Sequence, residues 1–359
     1  MQLFTASHNV KSMKQLLFLT IFCGTIFGNS GVFSKAGVGL YFDAAYAPSW
    51  RGCFPATPLV YKTEINNSEE LGLRFGKTLF AMNQGCEEFA PGLKVRADLS
   101  ANRKGSVQAI FFGLYQWNFN RLIEEANEER IGFSIPPFGQ EAFGVSHTFK
   151  TFREVNVQYL EHFNSAEASY LQHPTPRYYD YFSVSILYGV RGMQQDNKIE
   201  LSGLPDPLLG GPRNDVNALM SLNNVNRLIG LQLGGNLRYR MTKRIYLEIP
   251  LKCGGYGNLL DYSIAVGYPA LDPNDTTTYF LKTLTDQNKT RVFGAASVET
   301  APHMEIHFGR MYVYIGGSYL YVYGISQGID QIKRNNITAV NACDNFTLAS
   351  ILAGVGVHF

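Results

Sequence analysis

The final stretch of the chain, FTLASILAGVGVHF from Phe346 to Phe359, alternates between two kinds of side chain. Counting back from the carboxyl terminus, the apolar positions are Phe359, Val357, Val355, Ala353 and Ile351, and most intervening positions are small or polar. A repeat of two residues is typical of a β-strand with one apolar face. A half-buried strand of a soluble protein would alternate in the same way, so the remaining segments decide which environment covers that face.

Further alternating segments are separated by connections of two lengths. Strands are predicted at 37–47, 92–101, 106–117, 178–193, 226–240 and 311–323, with others ending near Gln172, starting at Ile245 and ending before Phe308. Tight turns at 102–105, 173–176, 241–243 and 308–310 alternate with long connections, among them 48–91, 194–225, 258–289 and 324–345. A polar helical piece is predicted near 121–130.

Strict alternation of short and long connections favours an all-β, antiparallel transmembrane β-barrel over a β-sandwich. Such barrels have short periplasmic turns and long extracellular loops, and closure removes the unpaired edges that a membrane does not tolerate. The count is ten strands. It rises to twelve if a segment near 71–82, or the long fourth strand that ends near Gln172, contributes additional strands. The predicted barrel covers residues 37–359, with 48–91 as a long loop or partial plug.

The first 36 residues have the features of an export signal. Lys11 and Lys14 form a basic region, and an apolar run follows from Leu16 to Phe27. Cleavage is predicted after Ala36, and Met13 is an alternative start. The predicted route is export to the periplasm and insertion into the cell outer membrane.

Composition agrees with a membrane barrel and argues against other classes. The chain contains 35 Gly and 21 Tyr, aromatic residues make up 13%, and its mean hydropathy is −0.09. Alternating strands average out in hydropathy, so barrels show no long apolar run. The formal net charge is only +2, and Lys11, Lys14 and Lys35 of the predicted signal region carry the excess. A nucleic-acid partner is therefore not expected.

Several sequence blocks resemble a family of bacterial outer-membrane proteins. They are EFAPG at 88–92, FNSAEASYLQHP…YYDYFSVSILYGVRGM at 163–193, NRLIGLQLGGNLRYRMTKRIYLEIPLKCGGYGN at 226–258, and VETAPHMEIHFGRMYVYIGGSYLYVYGISQGIDQI at 298–332. In order and spacing they resemble the beta-barrel porin seven family. The resemblance implies an outer-membrane barrel and a pore, with no substrate and no catalytic residue. The terminal Phe359 resembles the insertion signal of bacterial barrels, which implies the barrel assembly machinery and outer-membrane lipid as partners.

Inward-facing charges are the candidate functional residues. The alternation assigns nine residues to the pore lining: Lys94, Arg96, Asp98, Arg191, Arg238, Arg240, Glu248, Lys252 and Glu299. Six cations against three carboxylates would favour anions in a water-filled lumen. The function predicted is a narrow passive pore for small hydrophilic or anionic solutes. The alternative is a non-conducting structural or adhesive barrel, in which paired charges fill the interior and long loops bind partners.

Enzymatic and metal chemistry are not expected from the sequence. An omptin-like protease would need paired acids and a His near the outer rim, and His147, Asp196, Asp206 and Asp215 show no fixed spacing. The four cysteines after the signal region lack metal-ligand spacing, so neither a cofactor nor a metal is predicted. In an oxidising compartment disulfides form, and Cys53 with Cys86 is the first pair to consider, although four cysteines allow three connectivities.

Overall fold

A computed structural model describes residues 39–51, 58–66, 72–81, 89–102, 105–124, 130–133, 152–173, 181–205, 218–272, 275–327 and 342–359. The predicted signal at 1–36, Cys53 and Cys86 lie outside these ranges, so the signal, its cleavage and the disulfide stay predictions. Among the described residues, none forms a helix with the length and apolarity needed to cross a membrane.

The described segments form strands joined in one sheet. In chain order they are β1 Gly39–Tyr46, β2 Ser49–Arg51, β3 Pro58–Asn66, β4 Gly72–Ala81, β5 Phe89–Ala90, β6 Leu93–Asn102, β7 Gly105–Glu124 and β8 Arg130–Phe133. They continue with β9 Phe152–Gln172, β10 Phe182–Pro205, β11 Ala218–Arg240, β12 Ile245–Asp272, β13 Asp275–Thr300, β14 His303–Phe308, β15 Met311–Ile325 and β16 Asp344–His358.

Neighbouring strands pair antiparallel around a closed ring of ten, which confirms the predicted fold class and strand number. Pairing of β1 with β16 and of β9 with β10 closes the ring. Phe359 takes part in the closure, because its backbone N–H donates to the Leu40 carbonyl at 2.9 Å and its carbonyl accepts from Leu40 at 3.3 Å.

Three of the ten ring strands are interrupted by proline. The breaks fall at Pro48 between β1 and β2, at Pro91 between β5 and β6, and at Pro302 between β13 and β14. Proline has no N–H to donate, so it ends the ladder locally. Carbonyl groups still pair at the breaks, as Pro48 accepts from Ile351 N–H and Pro302 accepts from Gly317 N–H, both at 3.0 Å.

The first and last described residues and two of the tight turns lie at one end of the barrel, which we call the near end. It carries Gly39, His358, the 241–244 turn and the Phe308–Met311 turn. Gly309 has a φ of +67° in that turn, a conformation that glycine adopts without steric cost. The opposite end is the far end, where β8 links β9 to β3, and β3 pairs with β4.

An exposed apolar belt surrounds the near half of the barrel. Its outward side chains include Phe182, Ile186, Tyr188, Val190, Ile229, Leu231, Leu233, Leu251, Val292, Val298, Val313, Ile315 and Ile351. On β10 the belt runs from Phe182 to Val190, which matches the roughly 9–11 residues of a transmembrane β-strand. Lipid is the solvent that such a continuous apolar exterior requires. The protein is a transmembrane β-barrel.

The strands continue well beyond this belt, contrary to the loops predicted at 194–225 and 258–289. β10 and β11 remain paired as far as Gly203 and Ala218, and β12 and β13 as far as Asp272 and Asp275. Outward positions become polar there, with an ion pair of Lys198 and Glu200 at 2.6 Å. The sequence prediction failed because the apolar outward face stops at the membrane boundary while the pairing does not.

Two other local predictions, a helix near 121–130 and a strand near 71–82, have opposite outcomes. Residues 121–124 of the predicted helical piece lie in β7, and Arg130 begins β8, so the helix prediction is wrong for the described residues. The segment near 71–82, which the alternative count of twelve included, forms β4, and β4 pairs with β3 outside the ring of ten.

Candidate functional site

The inner face of the ring contains stacked groups of side chains. Along β9 the inward positions run from the near end as Ser169, Glu167, Ser165, Phe163, Glu161 and Tyr159, and all are buried. Adjacent strands add residues at each level, so charged, aromatic and again charged groups follow one another along the barrel axis.

The first group, the near-end cluster, combines four carboxylates, two guanidinium groups and two imidazoles. Its members are Asp43, Arg96, Asp98, Arg238, Glu248, His303, Glu305 and His307. Arg96 is central, because its Nε lies 2.5 Å from Asp43 Oδ2. Its terminal nitrogens lie 3.6 Å from Glu248 Oε1 and from Glu305 Oε1.

Two tyrosines from β15 complete the environment of Asp43. Tyr312 and Tyr314 donate hydrogen bonds to its two oxygens at 3.0 and 2.9 Å. Their rings lie over glycines of β16, because a Cβ at Gly356 would be 2.1 Å from the Tyr312 ring. The VGV sequence of the closing strand therefore provides the space in which the tyrosines reach across to β1.

The middle cluster consists of Lys94, Glu167, Arg191, Lys252 and Glu299. Arg191 pairs with Glu299, and Lys252 pairs with Glu167. Lys94 is close enough to Glu299 to interact electrostatically. Buried ions need both a charge partner and hydrogen bonds, and Arg191 meets this need by donating its Nε–H to Ser165 Oγ at 2.8 Å.

Beyond the middle cluster lies an aromatic cluster of Phe112, Tyr115, Trp117, Phe163 and Phe346. Phe163 and Phe346 stack with ring centroids 5.0 Å apart, and Tyr115 stacks on Trp117 at 5.6 Å. A bulge in β7 shifts the alternation of that strand, so that Tyr115 and Trp117 face inward as Phe112 does. Leu114 has a φ of +63° there, and its N–H donates to Asn164 Oδ1 at 2.9 Å.

The far-end cluster contains Arg51, Tyr159, Glu161 and Gln195. Glu161 accepts hydrogen bonds from Arg51, Gln195 and Tyr159, the last at 2.8 Å. Gln195 also accepts from Asn226 at 3.3 Å. Further along, inward side chains are apolar and buried: Val155, Val157, Ile199, Leu201, Met220, Leu222, Leu260 and Ile264.

The chain after β15 enters the barrel at the far end. The Asn226 side chain makes two hydrogen bonds to the backbone of Ser326. Its Nδ2 donates to the Ser326 carbonyl and its Oδ1 accepts from the Ser326 N–H, both at 2.9 Å. Asn258 adds a hydrogen bond to the Gly324 carbonyl at 3.0 Å. These bonds hold residues 324–326 against the inner face.

All nine residues predicted to line the pore lie at inner-face positions of their strands. Asp98, Arg191, Glu248 and Lys252 are buried, and the others are half-buried. Arg240 remains at the near-end rim, where its Nε donates to the Thr242 carbonyl at 3.3 Å. Of the omptin-like set, Asp196 lies at an outward position of β10, and His147, Asp206 and Asp215 lie outside the described residues.

The sequence analysis missed four inner-face carboxylates and one cation. The missed residues are Asp43, Glu161, Glu167, Glu305 and Arg51. With them, the inner-face charges named here are seven cations and seven carboxylates, so the predicted six-to-three excess of cations is wrong. The sequence does contain a pattern that places Glu167 on the inner face. Polar Ser165, Glu167 and Ser169 alternate there with Ala166, Ala168 and Tyr170.

One part of the near-end cluster has donors suited to a metal ion. Glu248, His303 and Glu305 each offer one ligand atom, and these atoms lie within 4.8 Å of one another.

Cys253 lies at an outward position of β12, and Cys343 is exposed before β16.

Comparisons with known proteins find distant structural likeness. No protein-family model matches the chain, and no curated protein matches it either, so membership of the porin seven family stays a prediction. Among solved structures, the chain is similar to the outer membrane protease OmpT from Escherichia coli, at 11% identity and a TM-score of 0.39 over 92% of this chain and 99% of that one.

Other similar structures have different roles. The translocator domain of autotransporter NalP from Neisseria meningitidis has 11% identity and a TM-score of 0.29, over 98% of this chain and 96% of that one. Ail, the attachment invasion locus protein of Yersinia pestis, has 8% identity and a TM-score of 0.24, over 89% and 98%. Likeness this distant transfers no activity to the present chain.

Proposed function

We propose that the protein is an outer-membrane β-barrel with a closed interior, whose ring anchors a strand extension outside the membrane for contact with other surface molecules. The single observation that carries this proposal is the burial of the inner face. In a water-filled channel the lining side chains would be reached by solvent along the axis. Here Arg191 is 3% exposed, Lys252 6% and Phe163 2%.

Pairing of the inner charges supports a structural role over ion selection. A selectivity filter must leave part of its charge available to a passing solute. The middle-cluster carboxylates Glu167 and Glu299 are instead paired with Lys252 and Arg191, and the aromatic cluster lies directly beyond them. Passage of a hydrated solute would require both groups to separate.

The extension supports a role at the outer surface. From Gly192 to Pro205, β10 adds 14 residues beyond the belt, which at about 3.3 Å per residue is roughly 45 Å of strand. Its outward side is mostly hydrophilic, as is that of β11 and β12 beyond the belt, where Arg227 pairs with Asp261 and only Leu219 and Leu259 are exposed large apolar side chains among the described residues. The pKa of Asp261 is lowered by a hydrogen bond from Thr290 and by Arg227, so this face carries charge in water.

The proposed partners follow from this placement. Outer-membrane lipid covers the belt, and the barrel assembly machinery inserts the chain through its C-terminal strand, with Phe359 as the signal. The outer extension presents polar surface to a partner. No catalytic step is proposed.

Single-channel recording from the refolded chain starting at Gly37 tests the closed interior. A heat-modifiable shift on gels first establishes that the barrel is folded. We expect no discrete conductance steps in a planar lipid bilayer. Steps with an anion-biased reversal potential, reduced by Arg238→Ala together with Arg240→Ala, would instead support the passive pore for small hydrophilic or anionic solutes that the sequence predicts.

A further inference from the structure

We propose that the near-end cluster binds one divalent transition-metal ion of the Zn²⁺ class, with Glu248, His303 and Glu305 as ligands. All three side chains are buried, with exposed fractions of 6%, 5% and 2%. They come from two adjacent ring strands, because β12 pairs with β14 in a register that places Glu248 opposite His303. The proposal does not depend on whether the barrel conducts.

The histidine is oriented as a metal ligand would be. His303 Nδ1 lies 2.9 Å from the Ala301 carbonyl oxygen, and in the tautomer that donates this bond the Nε2 atom carries a free lone pair. Metal-binding histidines are commonly fixed in this way by a hydrogen bond from the other ring nitrogen. Ala301 lies in the proline break between β13 and β14, so the interruption of the strand supplies the carbonyl.

The distance between donors suits coordination better than a direct hydrogen bond. His303 Nε2 is 3.5 Å from Glu305 Oε1, which is long for an N–H···O contact. Ligand bonds of about 2.0–2.2 Å in a tetrahedral site place neighbouring donor atoms roughly 3.3–3.6 Å apart. A small ion between the two atoms would fit this separation.

The formal charge of the near-end cluster is negative, which favours binding of one divalent cation. Asp43, Asp98, Glu248 and Glu305 carry four negative charges, and Arg96 and Arg238 carry two positive charges. With neutral imidazoles the sum is −2, which a single divalent cation would cancel. Arg96 already offsets part of the repulsion between these buried carboxylates, and a divalent ion would offset the remainder.

An unpartnered polar atom lies beside the same carboxylate. Asn236 is 7% exposed, and its Nδ2 donates to Glu248 Oε1 at 2.5 Å. Its buried Oδ1 has no hydrogen-bond partner within the described part of the chain. Asn236, Glu248, Glu305 and His307 line a cavity of about 20 Å³, which is not lined by His303 and can hold one water beside the proposed ion. An ion-bound water there would donate to the free amide oxygen.

His307 and Arg238 complete the surroundings of the proposed site. His307 Nε2 is 3.0 Å from Glu305 Oε2, and Arg238 lies 2.8 Å from the same oxygen. These contacts use Oε2, whereas Oε1 faces His303 Nε2 at 3.5 Å and a terminal nitrogen of Arg96 at 3.6 Å. Imidazole and carboxylate donors together favour Zn²⁺ over the hard cations Mg²⁺ and Ca²⁺, which prefer oxygen alone.

Equilibrium dialysis of the chelator-treated, refolded barrel against Zn²⁺ tests the proposal, with Co²⁺ as a spectroscopic probe. The protein should carry no affinity tag that contains histidine. We expect one Zn²⁺ per chain, visible Co²⁺ bands of a low-coordinate ion, and a higher unfolding temperature with Zn²⁺ present. His303→Gln and Glu248→Gln should each weaken binding by at least about 100-fold, since even loss of an outer partner costs 10–100-fold.

Matched controls use buried residues of the same types elsewhere in the barrel. His173→Gln changes a buried histidine that contacts Ser106 and Ser185, and Glu161→Gln changes a buried carboxylate in the far-end cluster. Both should bind Zn²⁺ as the unchanged protein does. Absence of binding to the unchanged protein, or equal affinity in all five proteins, would overturn the proposal. If one cluster variant does not fold, the Co²⁺ spectrum and the other variant still decide.

Discussion

The near-end cluster and the aromatic cluster lie on either side of the middle cluster in the same barrel and have opposite chemistry. The first joins Arg96 and Arg238 to the three carboxylates of Asp43, Glu248 and Glu305, whereas the second stacks Phe163 on Phe346 and Tyr115 on Trp117. Apolar filling gains free energy from burial alone. Ionic filling offsets desolvation only while every partner is present. The two sections should therefore respond differently to loss of one side chain.

The largest effect is expected from Arg96→Met. Asp43, Glu248 and Glu305 would lose the guanidinium group that they share, and removing one partner from a buried ionic group costs about 3–5 kcal/mol. Urea unfolding in lipid vesicles would measure the loss. Arg240→Met at the rim is the control and should change stability by less than about 0.5 kcal/mol. Equal effects of the two changes would mean that Arg96 does not hold the cluster together.

A somewhat smaller loss is expected from Phe346→Ala in the aromatic cluster. The Phe346 side chain is 2% exposed, and its truncation should cost about 3 kcal/mol through lost burial and the cavity left behind. Phe346→Leu keeps most of the volume and should cost less than about 1.5 kcal/mol. The same unfolding assay compares the two. A cost below about 1 kcal/mol for the alanine variant would show that this section is loosely packed.

The membrane boundary can be tested along β11. Leu231 is 70% exposed in the belt, so Leu231→Arg should cost about 2–4 kcal/mol in vesicles. Asn223 lies at an outward position on the same strand beyond Arg227. Asn223→Arg should change stability by less than about 0.5 kcal/mol. A large cost at both positions would place the extension inside the lipid and contradict the boundary proposed here.

The smallest effect is expected from Tyr314→Phe. This change removes one donor to Asp43, whose other oxygen keeps its bonds to Arg96 and Tyr312. A single hydrogen bond to a charged group contributes about 1.5–3 kcal/mol, and the remaining donors should limit the loss to about 1.5 kcal/mol. Tyr319→Phe on the outer face is the control. No difference between the two tyrosines would mean that Asp43 is satisfied without Tyr314.

Much of the fold could be predicted because alternation and turn chemistry are local. The ten strands, the near-end turns and the inner-face positions of Arg191, Lys252 and Glu299 follow from a repeat of two and the pattern of connections. The extension beyond the belt was missed for a physical reason. Outside the membrane a paired strand no longer needs an apolar outer face, so 194–205 has the composition of a loop.

By itself, the sequence of this protein determined the inner-face positions of the nine predicted lining residues and that the sheet is all antiparallel. Only the tertiary structure decided which inward groups meet. Asp43 contacts Arg96 on the adjacent strand and Tyr312 from the opposite end of the chain. Such contacts depend on the register and stagger of strands around a closed ring. A period of two fixes the face of each residue but not its height along the barrel, and charge balance inside the barrel depends on both.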